Sequence, residues 1–279
     1  MRRAAEPGAQ VEPAAGQPWL APFAAWATAS DPRPVGRLDL GRLNALAEAR
    51  GLALEGGTPV RFVDAAAAGP MPYELAIAAT GEVPTRVDGP GMVHDWFNAL
   101  CWLRWPAIKA RMNRLQAEAI RARPASLAGP RGALRDAITL FDESGALFLA
   151  DDEGAIASLR GFDWRGLFVA RRETFASRVR VLVVGHALLE KLQSPYKALC
   201  AHALPVAMAL DDVAPGRPDA LDRLDAAVAA TLDAGALARE RLAPLPLLGI
   251  PGWWPGNEDP AFYNDASVFR PGRRRSSPQ

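Results

Sequence analysis

Hydrophobic positions recur along this chain at two periods, and the switches between them mark its elements. Leu20, Phe23 and Trp26 fall at helical spacing within residues 19–29, and Asp31-Pro32-Arg33-Pro34 ends that run. A second helix is expected over 38–50, with Leu43 and Leu46 inward and Gly51 as its C′ residue. Residues 60–63 and 73–79 read as short strands, the second closed by the turn signal Thr80-Gly81. The clearest helical run covers 94–120. Pro106 lacks the amide for an intrahelical bond, so a kink or fresh start is expected near Trp105.

Apolar runs 137–141 and 146–150 flank Asp142-Glu143-Ser144-Gly145, the pattern of a β-hairpin with Gly145 in the left-handed position. Helices are expected over 152–159 and 164–172. A strand over 178–184 meets Gly185, followed by a short helix over 186–192 closed by Pro195. Another strand spans 204–210, a helix 219–232, and the remainder is rich in proline and aromatics. No fixed-period repeat argues for a solenoid. The sum is an α+β single domain with more helix than strand and a small, mostly antiparallel sheet with a hairpin near 137–150. Residues 1–16, of Ala, Pro, Gly and Gln without periodicity, are expected to be a disordered extension, 17–272 the globular domain, and 273–279 a basic disordered tail.

Composition narrows the function classes. The 279 residues are 49% hydrophobic and 23% charged, ordinary for a globular chain. The 32 basic and 31 acidic residues leave a net charge of +1, which favours neither nucleic acid nor an anionic membrane. The tail Arg273-Arg274-Arg275 is too short to change that, so no nucleic acid and no membrane is expected as a partner. The longest apolar stretches, 181–184 and 203–210, are far below a membrane span, and no apolar segment follows the basic N-terminus as a secretory signal requires. A cytoplasmic protein is the expectation. Cys101 and Cys200 form no CxxC pair, lie in apolar surroundings and read as two buried thiols.

Only three lysines stand against 29 arginines, and alanine, glycine and proline abound, as in a genome biased to GC-rich codons. Asn, Lys and Tyr, whose codons lean the other way, cluster apart from Asn44 in or beside 73–113, 191–197 and 257–263. Those are segments where the side chain's chemistry outweighed the codon.

Motifs across the chain resemble a bacterial family catalogued as domain of unknown function 3025. They are Gly81-Glu82-Val83-Pro84-Thr85-Arg86, then His94-Asp95-Trp96-Phe97-Asn98-Ala99-Leu100-Cys101-Trp102-Leu103 and Trp105-Pro106 with Lys109 and Asn113. Arg135-Asp136-Ala137-Ile138-Thr139-Leu140-Phe141-Asp142-Glu143 with Gly145 and Gly185-His186-Ala187-Leu188-Leu189-Glu190-Lys191 follow. Pro244-Leu245-Pro246, Gly252-Trp253-Trp254, Asn257-Glu258, Phe262-Tyr263-Asn264-Asp265 and Val268-Phe269-Arg270-Pro271 complete the set. Asn264 stands where the family leads one to expect Asp, and Trp105 where one expects Phe. The resemblance implies domain limits and no assigned activity.

His94, Asn98 and Cys101 share one helical face at i, i+4 and i+7, with Lys109 farther along. His94 can serve as a base oriented by Asp95, with Asn98 and Lys109 holding a substrate oxygen; the competing reading is a capped core helix. His186 sits where a strand hands over to a helix, with Glu190 at i+4 to share its proton; a buried structural pair is the alternative. The second histidine of H-E-x-x-H is missing, so no metal ligand set is assigned, and the sequence names no cofactor. Asp142-Glu143 resembles a paired-carboxylate motif, but the turn reading is favoured because Asp, Glu, Ser and Gly suit a tight hairpin loop, and Arg135-Asp136 reads equally as an ion pair or an anion clamp. Arg86 can bind an anionic group, and Asn257, Tyr263 and Asp265 belong to a segment that straps the surface or closes over a ligand. No GxGxxG, Walker or GxSxG motif is present.

Two functional readings follow. One is a hydrolase-like enzyme using proton transfer, with His94, Asp95, Asn98, His186 and Glu190 as catalytic residues. Arg86, Lys109, Asn257, Tyr263 and Asp265 would then bind a small anionic molecule. The other is a non-catalytic binding or scaffold protein that uses the Trp/Pro-rich C-terminal segment.

Overall fold

Helix α4 (Met92–Arg104) is apolar on nearly every side, and ten of its thirteen residues are buried, as such a helix requires. Trp105 leaves the helical region at φ −122° and ψ 53°, and Pro106 opens α5 (Pro106–Arg121) at the position where its missing amide is harmless. The expected break at Pro106 is therefore a true restart. Asp225 caps the new helix from outside by accepting from the amides of Ala107 (2.8 Å) and Ile108 (3.0 Å).

The computed structural model describes residues 17–122, 132–213, 219–238 and 241–272. The expected N-terminal extension and basic tail lie outside these residues. Around the α4–α5 pair come α1 (Ala24–Ser30), α2 (Leu40–Ala49), β1 (Arg61–Asp64), α3 (Tyr73–Thr80) and β2 (Glu82–Thr85). The chain continues with α6 (Ala133–Ser144), β3 (Gly145–Ala150), α7 (Glu153–Gly161), α8 (Arg172–Arg178) and β4 (Val179–Val183). Helix α9 (His186–Lys191), β5 (Cys200–Ala207), α10 (Ala220–Thr231) and β6 (Ala243–Pro246) complete it.

The architecture is α+β with helix predominant. Strands β1 and β2 pair in parallel. The larger sheet has the order β4-β3-β5-β6 and is mixed, because β3 runs antiparallel to β4 but parallel to β5. The expected mostly antiparallel sheet is corrected on this point. All six residues of β3 are buried, which explains its unbroken Gly-Ala-Leu-Phe-Leu-Ala sequence. One hydrophobic cluster runs from Trp19 to Phe269 through both helices and sheet.

Three local expectations differ from the structure. The hairpin at 137–150 does not form: α6 passes directly into β3, and Leu134, Ala137, Ile138 and Phe141 carry the i, i+3, i+4, i+7 spacing of a helix. Residues 73–79 are helical, begun after Pro72 and ended by Gly81 in the left-handed region at φ 73°. Cys101 is buried, but Cys200, the first residue of β5, is exposed.

Candidate active site

Five helices converge on one cavity of about 260 Å³, α3 among them through Tyr73, Glu74 and Ile77. Helix α4 brings His94, Asp95 and Asn98, α5 brings Lys109, the end of α6 brings Asp142 and Glu143, and the start of α9 brings His186. Two devices fix their approach. The indole of Trp105, at the α4–α5 corner, donates to the carbonyl of Val183 (2.9 Å), tying that corner to the end of β4. Two residues on, the amide of Gly185 donates to the carbonyl of Gly145 (2.9 Å). A Cβ at Gly185 would stand 2.5 Å from the Gly145 nitrogen and 2.6 Å from the Glu143 carbonyl, so only glycine lets α9 start this close to α6.

The two histidines face each other. Nε2 of His94 and Nε2 of His186 are 3.1 Å apart, with the rings edge to face. Nδ1 of His94 is 2.8 Å from Oε2 of Glu190. Nδ1 of His186 is buried without a hydrogen bond, 3.7 Å from Oδ2 of Asp142, while its Nε2 lies 3.8 Å from Oε1 of Glu143. Lys109, 5% exposed, donates to Asp142 (2.5 Å) and to the Asn98 carbonyl oxygen (2.8 Å), and the Asn98 amide donates to the Tyr73 hydroxyl (2.9 Å). At the rim, Arg86 grips both oxygens of Asp95 through Nε (2.9 Å) and Nη2 (2.6 Å).

Burial dominates the protonation of the walls. It pushes His186 down to about 4, against the pull of Asp142, so this imidazole is neutral near pH 7. Burial raises the Glu143 carboxyl above the usual carboxylate range, with His94 opposing. Burial also acts to raise Asp142, but Lys109 and His186 outweigh it and hold that carboxyl below its ordinary value.

Of the residues singled out in the sequence, His94, Asp95, Asn98, His186, Arg86 and Lys109 line this cavity. Glu190 reaches it through His94. The pairing is exchanged relative to expectation: Asp95 holds Arg86 rather than His94, and Glu190 holds His94 rather than its neighbour His186. Asn257, Tyr263 and Asp265 lie elsewhere. Asn257 is fully buried and donates to the carbonyls of Leu248 and Ile250 (both 2.7 Å), and the Tyr263 hydroxyl donates to the Gly249 carbonyl (2.7 Å). Asp265 pairs with Lys197 (3.1 Å). These residues pin the C-terminal strap, and Trp253 within it packs against Trp19 with ring centroids 5.7 Å apart. Asp142 and Glu143, at the end of α6, also line the cavity, which a turn reading misses. Arg135 pairs with Glu74 (3.6 Å), which lines the cavity.

The fold and site thus define an α+β domain with a histidine–carboxylate pocket assembled from helix ends. The chain belongs to the family described as protein of unknown function DUF3025, whose sequence profile matches residues 60–273. No curated protein matches it, and no solved structure does.

Proposed function

We propose that this protein is a hydrolase-like enzyme that works by proton transfer on a small anionic substrate. The observation that carries the reading is the His94–Glu190 pair opening on the cavity. A carboxylate on Nδ1 holds that nitrogen's proton and leaves Nε2, which meets His186 Nε2 at the cavity, as the basic atom of a general base. A water drawn to Nε2 would lose a proton to His94, and the resulting imidazolium would be stabilised by Glu190. Neutral His186 beside it leaves that proton transfer unopposed by a second positive charge. Arg86, half exposed at the rim, is placed to meet the anionic part of the substrate.

Among the described residues no helix is long and apolar enough to cross a membrane. Together with two free cysteines and the GC-leaning composition, this supports a place in the cytoplasm of a bacterium.

The test is turnover of small ester, amide and phosphomonoester substrates by wild type, His94→Ala and Glu190→Gln. Loss of the base is expected to lower kcat by about 10²–10⁴-fold, with a smaller loss for Glu190→Gln. Undiminished turnover by His94→Ala, or none by wild type, would refute the reading.

A further inference from the structure

We infer that His94, His186 and Glu143 form a binding site for one divalent transition-metal ion. The inference deepens the proposed function and rests on it for the metal's role, with one change: a metal-bound His94 Nε2 is a ligand and not the base, and the ion would acidify the water in its place. Binding is measurable without turnover. One ligand atom from each residue lies within 4.8 Å of the others, and all three residues face the cavity. Ligands held at about 2.0–2.1 Å around four-coordinate zinc stand roughly 3.3 Å apart. The 3.1 Å between the two Nε2 atoms is close to that spacing, and the 3.8 Å from His186 Nε2 to Glu143 needs only a side-chain adjustment.

Proton placement points the same way. Glu190 accepts the Nδ1 proton of His94, which leaves a lone pair on its Nε2. If His186 likewise turns an Nδ1 proton toward Asp142, a second lone pair faces the first at 3.1 Å, and that contact repels unless a cation sits between. If instead His186 donates from Nε2, its buried Nδ1 keeps a lone pair 3.7 Å from the Asp142 carboxylate, with no donor bonded to it. A metal ion resolves both conflicts at once: both Nε2 atoms ligate it, and both Nδ1 protons face carboxylates, the arrangement that orients histidine ligands in metal sites.

The charges agree. The cavity wall carries Glu74, Asp95, Asp142 and Glu143. Arg135, Arg86 and Lys109 pair with the first three. Among the described residues no lysine or arginine pairs with Glu143, the carboxylate beside both imidazoles. Two histidines and one carboxylate with remaining positions open to a cavity is a donor set that suits zinc, iron(II) or manganese(II). The ligands come from three separate elements at positions 94, 143 and 186, so no short spacing announces them.

The experiment is equilibrium dialysis of the chelator-treated full chain against Zn²⁺, with bound metal counted by elemental analysis. The Co²⁺ form would be read by its visible absorption. Wild type is expected to bind on the order of one equivalent, with a Co²⁺ spectrum of low coordination number. Glu143→Gln and His94→Ala should each lose that binding. Glu190→Gln, which removes only the partner of His94, should weaken it by about 10–100-fold. His202→Ala, changing the remaining histidine of the chain, should bind as wild type does. Circular dichroism shows that each variant is folded before it is scored. Substoichiometric binding by wild type, or undiminished binding by folded Glu143→Gln and His94→Ala, overturns the site. Turnover by a wild type that binds no metal would overturn this inference and leave the enzyme reading standing. One bound metal with no turnover would do the reverse.

Discussion

Replacing Lys109 by methionine would test the electrostatics on which the cavity is built. Lys109 is 5% exposed, and its ammonium bonds Asp142 and Asn98 while lying 5.5 Å above the Trp102 ring. Methionine keeps the stem's volume and removes the charge, so Asp142 would remain beneath the surface with no cation bonded to it. Removing one partner of such a pair costs about 3–5 kcal/mol, because the other charge stays desolvated. For a domain of this size each kcal/mol lowers Tm by about 2–4 °C, so a fall of about 6–20 °C is expected. The loss should depend on pH with a definite sign. In wild type the Asp142 carboxyl is held below its ordinary value of 3.8, against burial, by Lys109 and His186. Its contribution is therefore present above that value and is lost as pH falls through the depressed one. Without Lys109, burial prevails and the carboxyl rises. The gap between wild type and variant should then be widest near pH 7 and narrow as pH falls toward 4. Urea unfolding followed by tryptophan fluorescence at several pH values measures this. Asp142→Leu added to Lys109→Met should recover most of the loss, since both charges are then gone. A loss under about 1 kcal/mol at pH 7, or one that stays constant with pH, would show that the pair is not the buried ion pair described.

Two further substitutions probe the framework that brings the histidines together. Gly185→Ala drives a Cβ into the backbone of Gly145 and Glu143, so a thermal melt should show a cost of about 1–3 kcal/mol, with His186 displaced. The same exchange at Gly161, where a Cβ meets nothing within 4 Å, should change stability by less than about 1 kcal/mol. Trp105→Phe removes the donor to the Val183 carbonyl, and a loss of about 1–3 kcal/mol in urea unfolding is expected if no water replaces it.

Elements whose signals are local were legible in the sequence. The restart at Pro106, the Gly51 and Gly185 junctions and the strand before His186 follow from proline's missing amide, the left-handed φ of Gly51, the absent Cβ of Gly185 and the apolar run of β4. Residues 73–79 and 137–141 were not, because a short apolar run satisfies both periods and only tertiary packing decides between them. The site divides in the same way. Position alone singled out His94 and His186, which line one cavity, but not their partners, since reasoning from sequence pairs each histidine with its neighbour. The contacts that form join His94 to Glu190 and Lys109 to Asp142, across 96 and 33 residues. One sequence signal did reach the site without local spacing: Tyr73, Asn98, Lys109 and Asn113, scarce residue types in this chain, all line the same cavity. Where codon bias presses against a residue, its retention marks a side chain that no abundant substitute replaces.

That signal also bears on how the pocket is organised. Lysine, asparagine and tyrosine form one relay of hydrogen bonds, from Lys109 through Asn98 to Tyr73, and Lys109 at its head bonds Asp142. A fold gains little stability from a buried ion pair over apolar residues of similar volume, so the relay is poorly explained as stabilisation. It is better explained by what Asp142 faces, the unpaired Nδ1 of His186 at 3.7 Å. A permanent negative charge there favours a proton on Nδ1 and so keeps the lone pair on Nε2, the atom that meets His94 and Glu143. Glu190 does the same for His94 from the other side. Two carboxylates thus orient two imidazoles so that their basic nitrogens converge, which is the arrangement the proposed metal site requires.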